Sequence, residues 1–229
     1  MDSTALKLEP LEDNEVLKNR IYLRLKEAIC SVNIYAGDKE PRLDERQLGE
    51  ALGVSRTPIR EALARLEQEE FIRTVPRKGV FIVRKTKAEI LEMITVWAAL
   101  ESMAARLITK NASNDEISTL RKMFATFDGG QLMARIDEYS LTNISFHQAL
   151  LQLSHCKLLN GIAENLFIHM RSIRMQTIGD RDRVNQSIID HMHIIEALES
   201  RKTEIAERLV REHSLNLAKH VEQHVSYLT

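Results

Sequence analysis

Apolar residues recur at helical spacing along most of the chain, and this pattern predicts a mainly α-helical protein. The first predicted helix carries on one face Leu17, Ile21, Leu25, Ala28, Ile29 and Val32. After a polar turn at residues 35–41 and a short second helix, Gly53 ends the helical pattern and predicts a tight turn. A third helix runs to about Glu69, and its single apolar stripe consists of Ile59, Ala62, Leu63 and Leu66.

Two short runs with strand character follow the third helix. They cover Phe71–Val75 and Val80–Arg84, and a turn at residues 76–79 joins them. This spacing predicts a β-hairpin with a basic tip. The order helix, helix, turn, helix and hairpin is typical of a winged helix-turn-helix domain, which we assign to residues 1–85.

The second half of the chain, residues 86–229, shows helical spacing and no strand pattern. We predict six helices here, at about 87–110, 114–127, 131–153, 157–177, 181–200 and 203–227. A helical domain of this kind is expected to bury one apolar stripe from each helix. The predicted fold class of the chain is therefore mainly α, with a winged helix-turn-helix domain followed by a helical bundle.

Composition limits the classes of function. The chain has 229 residues and a formal net charge of −1, so its overall charge gives no sign of a nucleic-acid partner. Locally, residues 42–85 carry ten Lys or Arg against seven Asp or Glu. The two cysteines are too few for a disulfide framework, which favours a reducing compartment such as the cytoplasm. We find no apolar run of membrane-spanning length and no signal-peptide core, and we expect no membrane partner.

The start of the third helix has the chemistry of a DNA-recognition helix. Ser55 stands at the N-cap position, where its hydroxyl can accept a hydrogen bond from a backbone N–H group. Arg56, Thr57 and Arg60 point away from the apolar stripe in the first turn and a half. A short helix with two arginines and a hydroxyl at its exposed N-terminus suits insertion into a DNA major groove. A solvated basic face is the alternative interpretation of the same residues.

The segments Leu43–Leu48 and Ala51–Leu63 resemble the GntR family of bacterial transcription regulators, and the resemblance extends over roughly residues 15–85. It implies a homodimer that binds double-stranded DNA at a palindromic operator. The positions that match the family's DNA-contacting residues are Arg46, Arg56, Thr57 and Arg60, with Lys78 and Gly79 at the wing tip. We include Ser55 in the predicted interface. Two departures are Glu70, which stands where glycine is common, and a slightly longer loop at residues 36–41.

Polar residues interrupt the apolar stripes of three helices in the second half. Asn143 and His147, one turn apart, share one face with Tyr139, Phe146 and Leu150. His191 lies on the predicted stripe of the fifth helix of this half, and His213 lies on that of the sixth. The other positions of these two stripes are Val184, Ile188, Ile195 and Leu198 in the fifth helix, and Ile205, Leu209 and Leu217 in the sixth. One inward-facing histidine is usually a satisfied core residue, but three imidazoles that converge in a helix bundle can hold a divalent cation. A competing set along the last helix is His213, His220 and His224.

The second half resembles the FCD effector domain of the FadR-type GntR regulators, through residues 143–147, His191 and His213. The resemblance implies a divalent metal ion, with Zn²⁺ or Ni²⁺ preferred. The ligands that it implies are Asn143, His147, His191 and His213. The family carries Asp or Asn at the first position, and Asn removes one negative charge, which should weaken cation binding. A pocket that is empty or binds only a metabolite is therefore an alternative.

Three further residues are candidates for binding a small-molecule effector. A metal ion with open coordination positions can take a carboxylate, and Arg171 and Arg174 can pair with such an anion. Ordinary ion pairing is the alternative for both arginines. Family members often carry arginine at the position of Trp97, four residues before Glu101. A tryptophan there favours a more apolar or ring-shaped ligand, although it can also be a core residue.

The resemblance and the residues together predict a ligand-responsive transcription regulator, usually a repressor in this family, in the bacterial cytoplasm and without enzymatic activity. A metal-dependent hydrolase tethered to DNA is an alternative, because three histidines with open coordination positions can activate water. Against it, the sequence has no His-Glu-x-x-His pattern and no glutamate base evident beside a ligand histidine. An architectural DNA-binding protein without an effector is a third interpretation.

Overall fold

The structure, a computed structural model, describes residues 14–35, 40–125, 136–177 and 181–225. Contacts within the chain divide it into two units. The first unit comprises Met1–Val32 and Lys39–Val83, and the second comprises Asn33–Asp38 and Arg84–Thr229. The segment Asn33–Asp38 therefore belongs to the second unit, although it lies in the sequence between the two parts of the first unit. The predicted division at residue 85 between a DNA-binding domain and an effector domain stays a prediction.

The described part of the first unit has three helices and a three-stranded antiparallel sheet. Its elements are α1 (Asn14–Ser31), β1 (Arg42–Leu43), α2 (Glu45–Leu52), α3 (Arg56–Gln68), β2 (Ile72–Val75) and β3 (Gly79–Ile82). The strand order is β1-β3-β2, so β3 pairs on both sides. The predicted hairpin of β2 and β3 is confirmed. The sequence does not predict β1, because two residues are too short to show an alternating pattern.

Helix α2 is capped at both ends, whereas the start of α3 lacks a side-chain cap. Asp44 caps α2 by accepting the backbone N–H groups of Arg46 and Gln47 at 2.9 and 3.1 Å. Gly53 ends α2 with a φ of 66°, in the left-handed region that favours glycine. Ser55 is the N-cap residue of α3, as predicted, but its side chain does not make the capping hydrogen bond that was expected. Ser55 is exposed, and water can satisfy the first N–H groups of α3 instead.

The helical stripes of the first unit are confirmed for α3 and in part for α1. α3 buries its whole predicted stripe. Three of the six positions predicted for α1 are exposed instead, namely Leu17, Ala28 and Val32. The buried face of α1 is rotated toward Tyr22 and Lys26, which donate hydrogen bonds to the Glu69 carboxylate at 2.6 and 3.0 Å. This polar contact ties α1 to the end of α3.

Glu70 has a φ of 61°, in the left-handed region that favours glycine. The backbone turns back there at the end of α3, where the N–H of Phe71 donates to the carbonyl of Leu66 at 3.0 Å. The departure noted in the sequence therefore places a side chain where the family commonly has none. A non-glycine residue meets a steric cost of about 1 kcal/mol in this conformation.

Six helices form the described part of the second unit, as predicted. They are α4 (Lys87–Asn111), α5 (Asn114–Phe124), α6 (Ile136–Leu153), α7 (Lys157–Thr177), α8 (Arg181–Glu199) and α9 (Thr203–His224). The predicted extension of α6 to residue 131 and of α9 to residue 227 lies outside the described residues. α4 lies against α6, α7 and α9. None of the described helices combines the length and apolar character needed to cross a membrane.

The predicted stripes of α6 and α8 face the interior, whereas the stripe of α9 is shifted. All five predicted α6 positions are buried, from Tyr139 to Leu150. Ile205 is exposed, which corrects the prediction for α9, and Ala206 and Val210 are buried in its place. The stripe is rotated by one residue because α9 packs along α4, yet it still ends at His213 inside the bundle.

Residues 33–35 form a turn that packs within the second unit. Ile34 and Tyr35 are buried, so the prediction of a polar turn is wrong at Tyr35, while residues 36–39 lie outside the described residues. The Tyr35 hydroxyl lies 2.8 Å from Nδ1 of His169 on α7, and the Gln176 side chain donates to Asn33 at 3.1 Å. The turn is therefore anchored to α7 at two points.

We expect Thr86→Ala to lower the free energy of unfolding of the second unit by about 1 kcal/mol, because it removes an N-cap. Thr86 and Glu89 form a capping box at the start of α4, in which each side chain bonds to the other residue's backbone N–H. Urea unfolding followed by fluorescence of Trp97, the single tryptophan, measures the change. Thr95→Ala, at an exposed position further along the same helix, is the matched control and should cost less. Equal losses of stability in the two variants would contradict this assignment.

Candidate functional site

The N-terminal part of α3 presents its polar side chains to solvent. Arg56, Thr57 and Arg60 are exposed, whereas Ile59 is fully buried. Burial of Ile59 fixes the rotation of α3 and keeps the two arginines on its open side. Arg60 donates a hydrogen bond to Glu45 at 2.7 Å, and Arg56 has no side-chain partner among the described residues.

The other predicted DNA-contacting residues lie on neighbouring elements of the first unit. Arg46 is exposed on α2, and Lys78 is exposed in the turn between β2 and β3. An open cleft of about 370 Å³ brings Arg46, Arg56 and Gly79 to one surface. Ser55 and Thr57 line a separate depression of about 470 Å³. One cleft therefore brings α2, α3 and the wing together through Arg46, Arg56 and Gly79, while Ser55 and Thr57 face the side of α3 nearer α1.

Three histidines from three helices meet inside the second unit. His147 on α6, His191 on α8 and His213 on α9 each offer a ring nitrogen, and these nitrogens lie within 4.8 Å of one another. The Nε2 atoms of His191 and His213 are 3.2 Å apart. The rings of His147 and His213 are stacked, with centroids 5.3 Å apart. The convergence expected from the sequence is thus present in the structure.

Each of these histidines has a hydrogen-bond partner at Nδ1. His147 Nδ1 lies 2.5 Å from Glu101, and His213 Nδ1 lies 3.1 Å from Asp190. His191 Nδ1 lies 3.4 Å from the Tyr139 hydroxyl. Because Nδ1 is engaged in all three rings, the Nε2 of His147 is left without a partner among the described residues, while the Nε2 atoms of His191 and His213 lie within hydrogen-bond distance of each other. Partners of this kind orient histidines that ligate metal ions.

Two of the residues predicted as metal ligands have a buried polar atom without a hydrogen-bond partner among the described residues, namely Asn143 at Oδ1 and His147 at Nε2. A buried acceptor without a hydrogen bond lowers the stability of the fold by roughly 1–3 kcal/mol, and a bound ligand would remove this cost. Nitrogen and oxygen acceptors of this set fit a borderline divalent cation such as Zn²⁺ or Ni²⁺. The residues present therefore fit the implied metal ion.

Burial keeps the three imidazoles neutral. It lowers the pKa of His147 and of His191 well below the usual value for histidine, and the nearby charge of Arg174 acts in the same direction. Burial also lowers the pKa of His213, although its hydrogen bond to Asp190 opposes the shift. Neutral imidazole is the form that binds a metal ion. The cluster is therefore in its metal-binding protonation state at neutral pH.

Glu101 on α4 links the histidine cluster to the rest of the core, a role that the sequence alone does not predict. Its carboxylate is fully buried, accepts the Ser214 hydroxyl at 2.6 Å and lies 3.8 Å from the Arg174 guanidinium. Burial raises the pKa of Glu101, and Arg174 and Ser214 oppose this shift. The expectation that no glutamate lies beside a ligand histidine is therefore wrong. Sequence spacing could not reveal it, because Glu101 and His147 lie on different helices.

The predicted effector-binding residues do not all meet. Arg174 is buried, and its Nε atom has no partner among the described residues. Trp97 is buried one turn before Glu101, and its ring lies 6.4 Å from that of Phe167. Arg171 is only half-buried, whereas the histidine cluster is buried. Of the two arginines predicted for effector binding, Arg174 is therefore the one that contacts the candidate site, through Glu101.

The competing histidine set of the last helix does not form. His220 and His224 stack on each other, with ring centroids 4.7 Å apart, near the end of α9. His213 turns instead to the cluster with His147 and His191. Among the described residues that triad is the one group of three or more histidine, cysteine or acidic side chains close enough to share a cation.

The winged helix-turn-helix unit and the helical bundle together define a transcription regulator of the winged-helix class. Residues 17–82 match the family model of bacterial regulatory proteins of the gntR family, and residues 92–216 match the FCD domain. The chain belongs to the GntR family of transcriptional regulators and carries an FCD domain. The resemblance noted in the sequence is confirmed.

Relatives and solved structures agree with this assignment. The Nta operon transcriptional regulator of Aminobacter aminovorans is 31% identical over 190 residues, which cover 80% of this chain and 83% of the relative. The HTH-type transcriptional repressor RspR of Escherichia coli (strain K12) is 24% identical over 217 residues, which cover 93% and 92%. The structure of E. coli McbR/YncC has a TM-score of 0.72 at 22% identity and covers 92% of this chain and 99% of that chain. At this identity the structural likeness shows the fold alone.

We expect Arg174→Ala to lower the free energy of unfolding by about 3 kcal/mol, because it leaves the Glu101 carboxylate buried without a cation. Urea unfolding followed by fluorescence of Trp97 measures the change. Arg171→Ala, one turn earlier on α7 and half-buried, is the control and should cost about 1 kcal/mol or less. A destabilisation in Arg174→Ala no larger than in the control would show that Glu101 does not depend on this guanidinium.

Proposed function

We propose that the chain is a transcriptional repressor that binds a palindromic operator as a homodimer in the bacterial cytoplasm. We further propose that a small carboxylate effector controls its operator affinity through a metal ion in the helical unit. The observation that carries this proposal is the buried convergence of His147, His191 and His213 with unpaired acceptor atoms. Buried polar groups in a protein core normally have hydrogen-bond partners, so unpaired acceptor atoms beside three histidines favour a bound ligand. The relative RspR, named a repressor, supports the sign of regulation.

DNA recognition in this proposal uses the exposed surface of the first unit. Arg56, Thr57 and Arg60 on α3 enter the major groove, where arginine can contact guanine edges through two hydrogen bonds. Arg46 on α2 and the exposed Ser55 contact the same DNA segment. Lys78 and Gly79 at the wing tip reach the adjacent minor groove. The exposure of the α3 residues and the absence of a described partner for Arg56 support this assignment.

The metal ion in this proposal is held by Asn143, His147, His191 and His213. When bound, Zn²⁺ or Ni²⁺ supplies positive charge and open coordination positions for a carboxylate. Arg174 adds a buried guanidinium whose Nε still lacks a partner among the described residues. Trp97, buried beside Phe167, gives this part of the core an aromatic character. These groups together favour a small carboxylate with an apolar or ring-shaped body.

In this proposal, effector binding acts through α7 on the segment that follows α1 in the sequence. Arg174 lies on this helix, and so do His169 and Gln176, which hold the turn at residues 33–35. That turn follows α1 directly in sequence. A shift of α7 on effector binding therefore changes the anchoring of the segment that joins α1 to β1. A coupling free energy of about 1–3 kcal/mol would change operator affinity roughly 5–150-fold.

A metal-dependent hydrolase is the second candidate, and one observation bears on it. Glu101 is a buried carboxylate beside His147, as a catalytic base would be. Its two oxygens are already engaged by His147 and Ser214, however, and it lies at Nδ1 and not at the free Nε2. A base for water activation needs a free acceptor facing the water. The regulator is therefore the better supported function.

We expect Arg56→Ala and Arg60→Ala each to weaken specific operator binding at least about tenfold, because each removes a major-groove contact. An operator duplex selected from a random pool by the wild-type protein serves as the probe in fluorescence anisotropy. Arg24→Ala on α1, which also removes an exposed arginine, is the control and should bind as the wild type does. Unchanged sequence-specific binding by both α3 variants would overturn the assignment of α3 as the recognition helix.

We expect elemental analysis to find about one zinc or nickel ion per wild-type chain and none in His191→Ala. Replacement of the neighbouring exposed His193 by alanine is the control, because it leaves the buried cluster intact. Asn143→Asp should bind the metal more tightly in calorimetric titration, because it restores a negative charge to the site. Metal-free wild-type protein after incubation with Zn²⁺ and Ni²⁺, or equal metal content in all variants, would refute the metal site.

A further inference from the structure

We propose that Arg42 on β1 is a further DNA contact, and that it holds a phosphodiester group of the DNA backbone between the recognition helix and the wing. This inference rests on the proposed DNA-binding function. The ligand is one phosphate of the duplex, recognised by charge and by the planar guanidinium, without regard to base sequence. Arg42 lies outside the set of residues that the sequence predicted for the interface.

The backbone places Arg42 at the wing. β1 pairs with β3, with Arg42 opposite Phe81 and Leu43 opposite Val80. The neighbouring residue at the start of β3 is Gly79, whose φ is 118°. A Cβ atom at Gly79 would lie 2.9 Å from Arg42 Nε and 3.5 Å from its Cζ. The Arg42 guanidinium therefore rests directly on the wing glycine, in space that only glycine leaves open.

The guanidinium borders the open cleft of about 370 Å³ that Arg46 and Arg56 also line. Arg42 is exposed, and neither Arg42 nor Arg56 makes a side-chain hydrogen bond or ion pair among the described residues. Arg46 has only a weak exposed pair with Glu50 at 3.8 Å. Three arginines from three elements thus face one concave surface with their charge largely available.

The two carboxylates of this cleft are already engaged. Asp44 accepts the backbone N–H groups at the start of α2, and these hydrogen bonds lower the pKa of Asp44. Glu45 accepts from Arg60 at 2.7 Å. The three arginines and two carboxylates that line the cleft leave it one net positive charge, and Arg60 adds a second through its pair with Glu45. An anion with several oxygens matches this surplus better than a neutral group does.

The position of the cleft indicates which anion it meets. In the proposed complex the N-terminus of α3 enters the major groove and the wing tip enters the adjacent minor groove. A sugar-phosphate strand always separates two adjacent grooves. Arg42 lines the same cleft as Arg56 of α3 and Gly79 of the wing, and in the proposed complex it therefore faces that strand. A base edge would require a residue that points into one groove.

The test uses the full chain and two 30-base-pair duplexes, one of random sequence and one selected by the wild-type protein from a random pool. We expect Arg42→Ala to weaken binding to both duplexes by a similar factor, roughly tenfold. The slope of log K against log salt should fall by about 1, because the variant neutralises one phosphate fewer. Arg42→Lys keeps the charge and should retain most of the slope, and Arg24→Ala should change neither quantity.

The outcomes separate this inference from the function on which it rests. Failure of the wild-type protein to bind either duplex refutes DNA binding itself. Normal wild-type binding, weaker binding by Arg56→Ala and an unchanged slope in Arg42→Ala refute the phosphate contact alone. A lower thermal midpoint in Arg42→Ala with an unchanged slope shows that Arg42 only supports the wing, and also refutes it. Weaker binding to the selected duplex alone would instead indicate a base contact and contradict the proposal.

Discussion

Burial of the Glu101 carboxylate is the constraint on which the interior of the helical unit depends. A charge inside a protein is tolerated only when surrounding groups compensate it. Three helices each supply one such group, with His147 from α6, Arg174 from α7 and Ser214 from α9. Because these groups must all reach one carboxylate, they fix the rotations of their helices about α4. The same rotations turn the free side of His147 toward the other two histidines.

The two units place arginine in opposite environments. Arg174 is buried, and burial lowers the pKa of its guanidinium while the charge of Glu101 opposes the shift. Arg42 and Arg56 are exposed and make no side-chain hydrogen bond or ion pair among the described residues. An exposed arginine can exchange its counterions for a phosphate at little cost, whereas a buried arginine changes partner only if the core around it rearranges. The first arrangement suits the proposed contacts with DNA, and the second suits a response to one ligand at the proposed effector site.

The sequence predicts those features that depend on local spacing. The three inward histidines, the turn at Gly53 and the six helices follow from helical periodicity and turn chemistry. The contact of Glu101 with His147 is not predicted, because the spacing of residues along one helix does not show which residues of another helix they contact. β1 was too short for a pattern, and the burial of Tyr35 depends on His169, which lies far along the chain. Ser55 gives a local example: serine is a favourable N-cap residue, but its side chain makes no capping hydrogen bond in the structure.

The turn at residues 33–35 has a consequence for how proteins of this architecture exchange domains. It lies in sequence between α1 and β1, yet Ile34 and Tyr35 are buried in the helical unit. A recombination event that joins residues 1–85 to a foreign helical domain would carry this turn away from His169 and Gln176, its partners on α7. The chimera would then expose two large apolar side chains in its first half. Exchange of sensor domains at a single crossover point is therefore constrained, and a working hybrid needs matched changes on both sides of the junction.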